Sequence, residues 1–254
     1  MSMIKKRGEN IIIRRGVIKV SFCDTSLFDD KIYDEDITRI IIKSDFDFDD
    51  DTGPHFAEYP NLKAFKMGIR NTCYEVHDGL LYMRLSEETF GKKNFGYNCG
   101  YYDYKNGIHI QIKEGLLLIC CPQSINKTDI VLHEDCTAIY GSAFDGCNLE
   151  SITIPHAFRY GCPGAFANLT VKKIYVPNKN DVWLESSHPI NNKDVIVECN
   201  ERDIETRESI CRWWKSVLTG NYSRGDYDGA LEMDQQTPGL GDSFLYKSDD
   251  KELL

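Results

Sequence analysis

The chain of 254 residues is 41% hydrophobic and 28% charged, a composition that is ordinary for a globular protein and sufficient for a sizeable core. Its formal net charge of −10 argues against nucleic acid as the main partner, because phosphate binding requires clustered Lys and Arg. The N-terminal stretch lacks the apolar run of a secretory signal, and no stretch approaches the roughly 18 apolar residues of a membrane span. We therefore expect a cytoplasmic protein without a membrane span, whose ten cysteines are thiols rather than disulfides.

Strand-like alternation begins close to the N-terminus. Residues 11–13 and 17–22 predict two strands, which we interpret as part of an N-terminal cap of about residues 1–35. Apolar residues then follow one another at offsets of zero, three and five positions. The residues that show these offsets are Ile37, Ile40 and Ile42, then Leu62, Phe65 and Met67, and later Leu149, Ile152 and Ile154. Repeating units are therefore expected well before the clearest part of the pattern.

Residues 74–122 predict an inserted hairpin region. Asp-Gly at 78–79 and Glu-Gly at 114–115 each lie between alternating apolar runs, and an Asp-Gly in this setting favours a hairpin because such a turn needs positive φ. The stretch between them, roughly Leu85 to Gly107, is polar at first and then rich in Tyr, including Tyr101 and Tyr102. Its Gly and Asn residues argue against a core strand. Rigid aromatics on a loop favour a binding loop; the alternative is that these tyrosines fold back and cover the hairpin.

Residues 129–177 carry the clearest repeat, in which an apolar pair and an Ala-Phe pair return every 22 residues. The apolar pairs are Ile130/Leu132, Ile152/Ile154 and Ile174/Val176, and the Ala-Phe pairs lie at 143–144 and 165–166. A fixed period in the twenties predicts a solenoid. One such unit cannot bury its own apolar side, so neighbouring units must stack to form a core.

The repeat reads L-x-x-I-x-I-P followed by A-F-x-x-C, and it resembles the BspA-like (Treponema pallidum type) leucine-rich repeat family, most strongly over Leu116 to Asn178. The family's hairpin, D-G-x-L-Y followed by L-I-x-x-P, is matched in both halves, but here the insertion Leu85 to Gly107 separates them. The resemblance implies an α/β fold, a right-handed leucine-rich repeat solenoid over residues 1–198 with a parallel β-sheet face and an inserted β-hairpin region. Bacterial members are often cell-surface or secreted proteins, so the resemblance leaves a surface location open.

After a last strand at Val195 to Val197, residues 199–220 predict a C-terminal capping helix. Asn200, with Asp203 three residues later, marks the N-cap, and Gly220 marks the end. The apolar face comprises Ile210, Trp213, Trp214 and Val217. We expect this helix to cover the open end of the solenoid, with partner binding as the alternative. Residues 221–254 combine eight acidic and three basic side chains with low hydrophobicity, which predicts a disordered acidic tail.

An acidic run near the second repeat has the carboxylate spacing of a calcium loop. Asp47, Asp49, Asp51 and Glu58 fall at positions 1, 3, 5 and 12 of an EF-hand-like segment. Thr52 occupies the position at which the sharp turn requires Gly, and repeats rather than helices flank the run. A solvated acidic loop is the favoured interpretation, and calcium binding remains the alternative.

The cysteines do not form a convincing metal or redox motif. His133 and Cys136, with Cys147 and His156 further on, come nearest to zinc-ligand spacing. The repeat alignment, however, places both of these cysteines at core positions. The vicinal pair 120–121 lies in an alternating strand, so we expect its two thiols on opposite faces. No metal ion or cofactor is therefore predicted.

No catalytic motif is present. The chain lacks a P-loop, a dinucleotide-binding glycine motif and H-E-x-x-H. The GDSF segment at 241–244 has no histidine after it to act as the base that a serine nucleophile needs. We predict no catalytic residues and a non-enzymatic protein, with a hydrolase of unrecognised site as the remaining alternative.

In such a solenoid the strand residues between the buried apolar positions face outward, and they form two columns on an extended concave face, the usual binding surface of solenoids. The predicted outward residues are Arg39, Ile41, Ala64, Lys66, Asp129, Val131, Ser151, Thr153, Lys173 and Tyr175. The predicted partner-binding residues are Arg39, Lys66, Val131, Thr153, Lys173 and Tyr175, with Tyr101 and Tyr102 of the insertion. We predict a module that binds another protein through the concave face; the alternative is a structural or surface-assembly protein that self-associates.

Overall fold

The computed structural model describes residues 11–14, 17–20, 37–42, 59–68, 71, 73–86, 100–103, 108–179, 182–184 and 189–221. For residues 11–14, 17–20, 100–103 and 108–111 the description covers the backbone only. Three predicted features lie outside these ranges: the acidic loop with Asp47, Asp49, Asp51 and Glu58, most of the N-terminal cap, and residues 222–254 of the tail.

The described part of the chain forms four sheets and one helix. Its strands are β1 (Ile11–Arg14), β2 (Val17–Val20), β3 (Arg39–Ile42), β4 (Ala64–Met67), β5 (Tyr74–His77), β6 (Leu80–Leu85), β7 (Gly100–Asp103), β8 (Ile108–Gln111), β9 (Gly115–Cys120), β10 (Asp129–Val131), β11 (Cys136–Ile139), β12 (Asn148–Thr153), β13 (Tyr160–Gly161), β14 (Thr170–Tyr175), β15 (Trp183–Leu184) and β16 (Ile196–Glu198). The helix is α1 (Ile204–Leu218).

Two of the sheets are built from the long strands of the repeats. The N-terminal sheet has the order β1-β2-β3-β4, in which β1 and β2 are antiparallel and the remaining pairs are parallel. The C-terminal sheet has the order β10-β12-β14-β16 and is parallel throughout. Its register aligns Ile130 with Ile152 and Ile152 with Ile174, which is the 22-residue offset of the sequence repeat. The predicted fold class, a parallel leucine-rich repeat solenoid with a C-terminal helix, is confirmed.

The other side of each coil consists of a short strand and a turn that carries the Ala-Phe pair. The short strands β11, β13 and β15 belong to a middle sheet of order β15-β13-β11-β9-β6-β5. Positive φ recurs at Ser142 and Gly164, and again at Gly146 and Asn168, so each pair is 22 residues apart. The backbone turn therefore repeats even where the residue type has changed. Gly and Asn are residues that tolerate this conformation at low cost.

The central strand β9 of the middle sheet is buried on both faces, and a separate core lies on each side of it. Along β9, Leu116 and Leu118 belong to the core of the C-terminal sheet, whereas Leu117 and Ile119 belong to a second core that includes Phe65 of β4. This alternation follows from the two-residue period of a strand. It explains why residues 116–120 read as an uninterrupted apolar run.

The predicted Asp-Gly hairpin is confirmed, and the two halves of the hairpin motif, which lie in β6 and β9, pair antiparallel with each other. Asp78 and Gly79 have φ of 54 and 90 and join β5 to β6 as an antiparallel hairpin. Glu114-Gly115 does not form a hairpin turn, because β8 pairs with β7 while β9 pairs with β6 and β11. Gly115 has φ of 93, and a Cβ there would lie 2.7 Å from the Asp135 carbonyl oxygen. A glycine is therefore required at position 115, where the chain packs closely against the next coil.

The C-terminal helix begins later than its predicted cap. Asp203, not Asn200, is the N-cap residue, and its Oδ2 accepts the Thr206 backbone N–H at 2.8 Å. Hydrogen bonds from the side chain and the backbone of Thr206 lower the pKa of Asp203. The predicted apolar face, comprising Ile210, Trp213, Trp214 and Val217, is buried. Within the described residues, no helix has the length and apolar character needed to cross a membrane.

Candidate protein-interaction surface

The outward side of the C-terminal sheet carries two of the most exposed large apolar side chains in the described residues. Ile130 and Leu132 point into the core, whereas Val131 between them is 63% exposed. At the other edge of the sheet, Ile196 is 51% exposed. We call this side the C-terminal face, which comprises Asp129, Val131, Ser151, Thr153, Lys173, Tyr175, Ile196 and Glu198.

Strand register arranges the C-terminal face in two columns. One column runs through Asp129, Ser151, Lys173 and Ile196, and the other through Val131, Thr153, Tyr175 and Glu198. Because neighbouring strands are about 4.8 Å apart, each column spans roughly 14 Å from β10 to β16. The face is therefore wide enough to contact several side chains of one partner.

Each charged side chain of the C-terminal face already has a polar partner on the same face. The Ser151 hydroxyl donates to Asp129 Oδ1 at 2.6 Å, and Lys173 Nζ lies 3.1 Å from Glu198 Oε1. The hydrogen bond to Glu198 raises the pKa of Lys173, and the Lys173 ammonium also lies 5.5 Å from the centroid of the Tyr175 ring. The face consequently offers apolar, hydroxyl and aromatic groups with little net charge.

The predicted outward residues of the early repeats lie on a different sheet. Arg39 and Lys66 are exposed on β3 and β4 of the N-terminal sheet, which is not hydrogen-bonded to β10 in the described part of the chain. The prediction of two columns running through all the repeats is therefore wrong. The hairpin turn contacts β4 instead, because the Phe65 N–H donates to the Gly79 carbonyl at 3.5 Å. The Ser124 N–H likewise donates to the Leu62 carbonyl, and Lys127 Nζ lies 3.2 Å from Asp78 Oδ2.

The predicted tyrosine loop contains a strand. Tyr101 and Tyr102 lie in β7, which pairs with β8 as a separate two-stranded antiparallel hairpin. In its register Tyr101 is opposite Ile110 and Tyr102 is opposite His109. The Gly and Asn residues of this segment were expected to exclude a core strand; the strand that forms pairs with β8 in a separate two-stranded sheet, which supplies its backbone hydrogen bonds. Among the described strands, β7 pairs only with β8, so the backbone of this hairpin belongs to neither repeat sheet.

A polar cluster that the sequence did not predict joins the β5–β6 hairpin to the repeats. The rings of His77 and His133 lie with their centroids 4.2 Å apart, and the His133 backbone N–H donates to Tyr82 Oη at 3.2 Å. Burial raises the pKa of Tyr82 far above its ordinary value. Residues 77 and 133 are 56 positions apart, so only the three-dimensional packing of the hairpin could reveal the contact.

Glu75 extends this polar cluster toward solvent. Arg84 Nη2 donates to Glu75 Oε2 at 2.9 Å, and His77 Nε2 lies 3.2 Å from the same oxygen. Burial alone would raise the pKa of Glu75, but the hydrogen bond from Arg84 and the nearby His77 imidazole outweigh it and lower that pKa. The arrangement cross-links the two strands of the hairpin.

The thiols that the repeat alignment assigned to the core lie there. Cys136 and Cys147 are buried, and burial raises the pKa of Cys136 to about 12. Cys120 and Cys121 belong to different cores, as their positions in an alternating strand predict. Within the described ranges, no three His, Cys, Asp or Glu side chains are arranged to hold a metal ion.

Comparison with known proteins returned no matching protein family model and no significant match among curated proteins. Among solved structures, a leucine-rich repeat protein from Eubacterium ventriosum is 15% identical, with a TM-score of 0.44 over 65% of this chain and 37% of that chain. A leucine-rich cell surface protein from Faecalibacterium prausnitzii is 12% identical, with a TM-score of 0.29 over 75% of this chain and 56% of that chain. The chain thus spans well under two thirds of either protein. Its repeat architecture is established by its own strand pairing at the 22-residue offset.

Proposed function

We propose that the chain is a non-enzymatic interaction module that binds another protein through the C-terminal face. The observation that carries this proposal is the pair of exposed apolar side chains, Val131 and Ile196, on opposite edge strands of one sheet. Thr153 and Tyr175 lie between these strands, on the same side of the sheet. Exposed apolar side chains that share one face of a sheet with hydroxyl and aromatic groups can anchor a protein interface.

The chemistry of the C-terminal face defines the kind of partner that fits it. Because Asp129 and Lys173 are already engaged by Ser151 and Glu198, a strongly charged partner gains little there. A protein surface with apolar and hydroxyl side chains can bury Val131 and Ile196 without leaving these charges unpaired. We therefore expect a neutral, mixed apolar and hydroxyl surface on the partner.

The proposal is tested by comparing two substitutions at equally exposed apolar residues. Val131→Glu introduces a charge on the C-terminal face, whereas Ile204→Glu changes a residue that is 59% exposed at the start of α1. Immobilised wild-type protein and both variants are used to capture proteins from a lysate of the source cell, and the captured partner's affinity is then measured with each. We expect Val131→Glu to weaken binding about 30-fold, as at an interface hot spot, and Ile204→Glu to leave it unchanged.

Folding and self-association are controlled in the same experiment. Both substitutions are at exposed positions, so the free energy of unfolding is expected to stay within about 0.5 kcal/mol of the wild type. Equal retention of the partner by wild type and Val131→Glu would refute the proposed surface. A concentration-dependent oligomer in light scattering that Val131→Glu abolishes, with no captured partner, would instead establish the self-associating alternative.

Two finer assignments belong to the same proposal. The BspA-like repeat type is supported by the inward direction of the apolar pair in each of the three clearest units and by the Ala-Phe pairs, which are buried in the turns. A cytoplasmic location is supported by the described cysteines, which are all thiols. Fractionation of the source cell under thiol-blocking conditions tests the location.

A further inference from the structure

We propose that Cys199 and Cys211 form a reversible disulfide that fastens the C-terminal helix to the last strand of the solenoid. Cys199 directly follows β16, and Cys211 lies in the middle of α1. Their Sγ atoms are 3.8 Å apart. A disulfide needs about 2.0 Å between the sulfurs, and rotation about χ1 of one or both side chains can supply a movement of this size.

The two thiols differ in access to solvent, which suits a stepwise oxidation. Cys211 is partly exposed, whereas Cys199 is buried beneath it. Burial and the neighbouring Cys199 thiol raise the pKa of Cys211 to about 11, so its oxidation should accelerate as the pH rises. Five other described cysteines are buried in the two cores, where an oxidant cannot reach them without unfolding.

A small disulfide such as oxidised glutathione is the oxidant that this geometry can use. The Cys211 thiolate attacks one sulfur of oxidised glutathione, the glutathione S–S bond breaks, and a glutathione thiolate leaves. The Cys199 thiolate then attacks the Cys211 sulfur of the mixed disulfide and releases the second glutathione thiolate. The two protein thiols are oxidised, one glutathione disulfide is reduced, and the two protons pass to the two glutathione molecules.

The bond would close a ring from residue 199 to residue 211, which includes the N-cap and the first two turns of α1. Cross-linking a loop of this size stabilises a protein mainly by restricting the unfolded chain. We expect a rise in the melting temperature of about 5 °C. Because α1 covers the core with Trp213, Trp214 and Val217, the disulfide would also oppose local opening of that end of the solenoid.

The test uses the full chain treated with oxidised glutathione at pH 8.5, followed by alkylation of the remaining thiols under denaturing conditions. Trypsin cleavage after Lys193, Arg202, Arg207 and Arg212 places the two cysteines in separate peptides, residues 194–202 and 208–212. We expect mass spectrometry to find these peptides joined by a disulfide that dithiothreitol cleaves. The 5 °C rise should appear in the oxidised wild type and be reversed by dithiothreitol.

Two variants make the test specific. Cys199→Ser should abolish both the linked peptides and the rise in melting temperature, whereas Cys162→Ser, which removes a buried thiol elsewhere, should retain both. A glutathione adduct on Cys211 without the linked peptides would overturn the proposal. Full alkylation of both cysteines after oxidation would overturn it as well.

Discussion

At the scale of single residues, the two adjacent tryptophans of α1 have different hydrogen bonding despite similar burial. Trp214 Nε1 donates to the Lys179 carbonyl at 3.0 Å, whereas the buried Trp213 Nε1 has no hydrogen-bond partner among the described residues. The rings contact each other edge to face, with centroids 5.5 Å apart. Trp214 also contacts the Phe158 ring of the solenoid, so it joins the helix to the repeats.

This difference predicts unequal costs for two chemically identical substitutions. Trp213→Phe and Trp214→Phe remove the same atoms from buried sites, but only Trp214→Phe leaves the Lys179 carbonyl without its donor. We expect Trp214→Phe to lower the free energy of unfolding by about 1–2 kcal/mol more than Trp213→Phe. Urea denaturation followed by circular dichroism measures both values. Equal losses for the two variants would show that the hydrogen bond contributes nothing.

At the scale of elements, periodicity was enough to predict the repeats, the helix and the burial of individual side chains. The 22-residue period predicts the stacked Ile positions. The spacing of Ile210, Trp213, Trp214 and Val217 predicts the buried face of α1. Strand alternation predicts that Cys120 and Cys121 lie in different cores. The pairing of β9 with β6 was not predictable from local pattern. Glu114-Gly115 resembles a turn, but the choice of strand partner depends on contacts with β6 and β11, which are distant in sequence.

The β5–β6 hairpin should gain pH-dependent stability from Glu75. A carboxyl whose pKa is lower in the folded state stabilises the protein above its unfolded pKa and loses that contribution as the pH falls through the folded pKa. The ordinary value here is 4.5, and the folded value is lower. We therefore expect Glu75→Gln to be less stable than wild type by about 0.5–1 kcal/mol at pH 7, with the difference disappearing as the pH falls below 4.5.

The pH prediction is checked by urea denaturation of wild type and Glu75→Gln between pH 7 and pH 3. Glu150→Gln is the matched control, because Glu150 forms an exposed pair with Lys172 at 2.7 Å. Such exposed pairs contribute little to stability, so this variant should follow the wild type throughout. If the difference in free energy of unfolding between wild type and Glu75→Gln stays constant from pH 7 to pH 3, the stabilising role of the Glu75 carboxylate is contradicted.

At the scale of the whole molecule, two sheets take the place of the single concave face that a regular repeat predicts. The β5–β6 hairpin contacts β4, so Arg39 and Lys66 lie on one sheet while Val131, Thr153, Lys173 and Tyr175 lie on another. The direction of each of these side chains could be predicted from alternation. Their division between two sheets could not, because it depends on where the inserted hairpin packs. Among the described side chains, the large apolar groups that are exposed on a sheet, Val131 and Ile196, lie on the C-terminal face.

Hydroxyl-radical footprinting of the complex with the captured partner tests the central claim most directly. Trypsin digestion places the tyrosines of the two candidate binding surfaces in different peptides, so their oxidation can be measured separately. Residues 174–179 carry Tyr175 of the C-terminal face, and residues 94–105 carry Tyr101 and Tyr102 of the separate hairpin. We predict that the partner reduces oxidation of Tyr175 several-fold and leaves Tyr101 and Tyr102 unchanged. Protection of Tyr101 and Tyr102 with Tyr175 still fully oxidised would contradict binding through the C-terminal face and would assign the interaction to the β7–β8 hairpin.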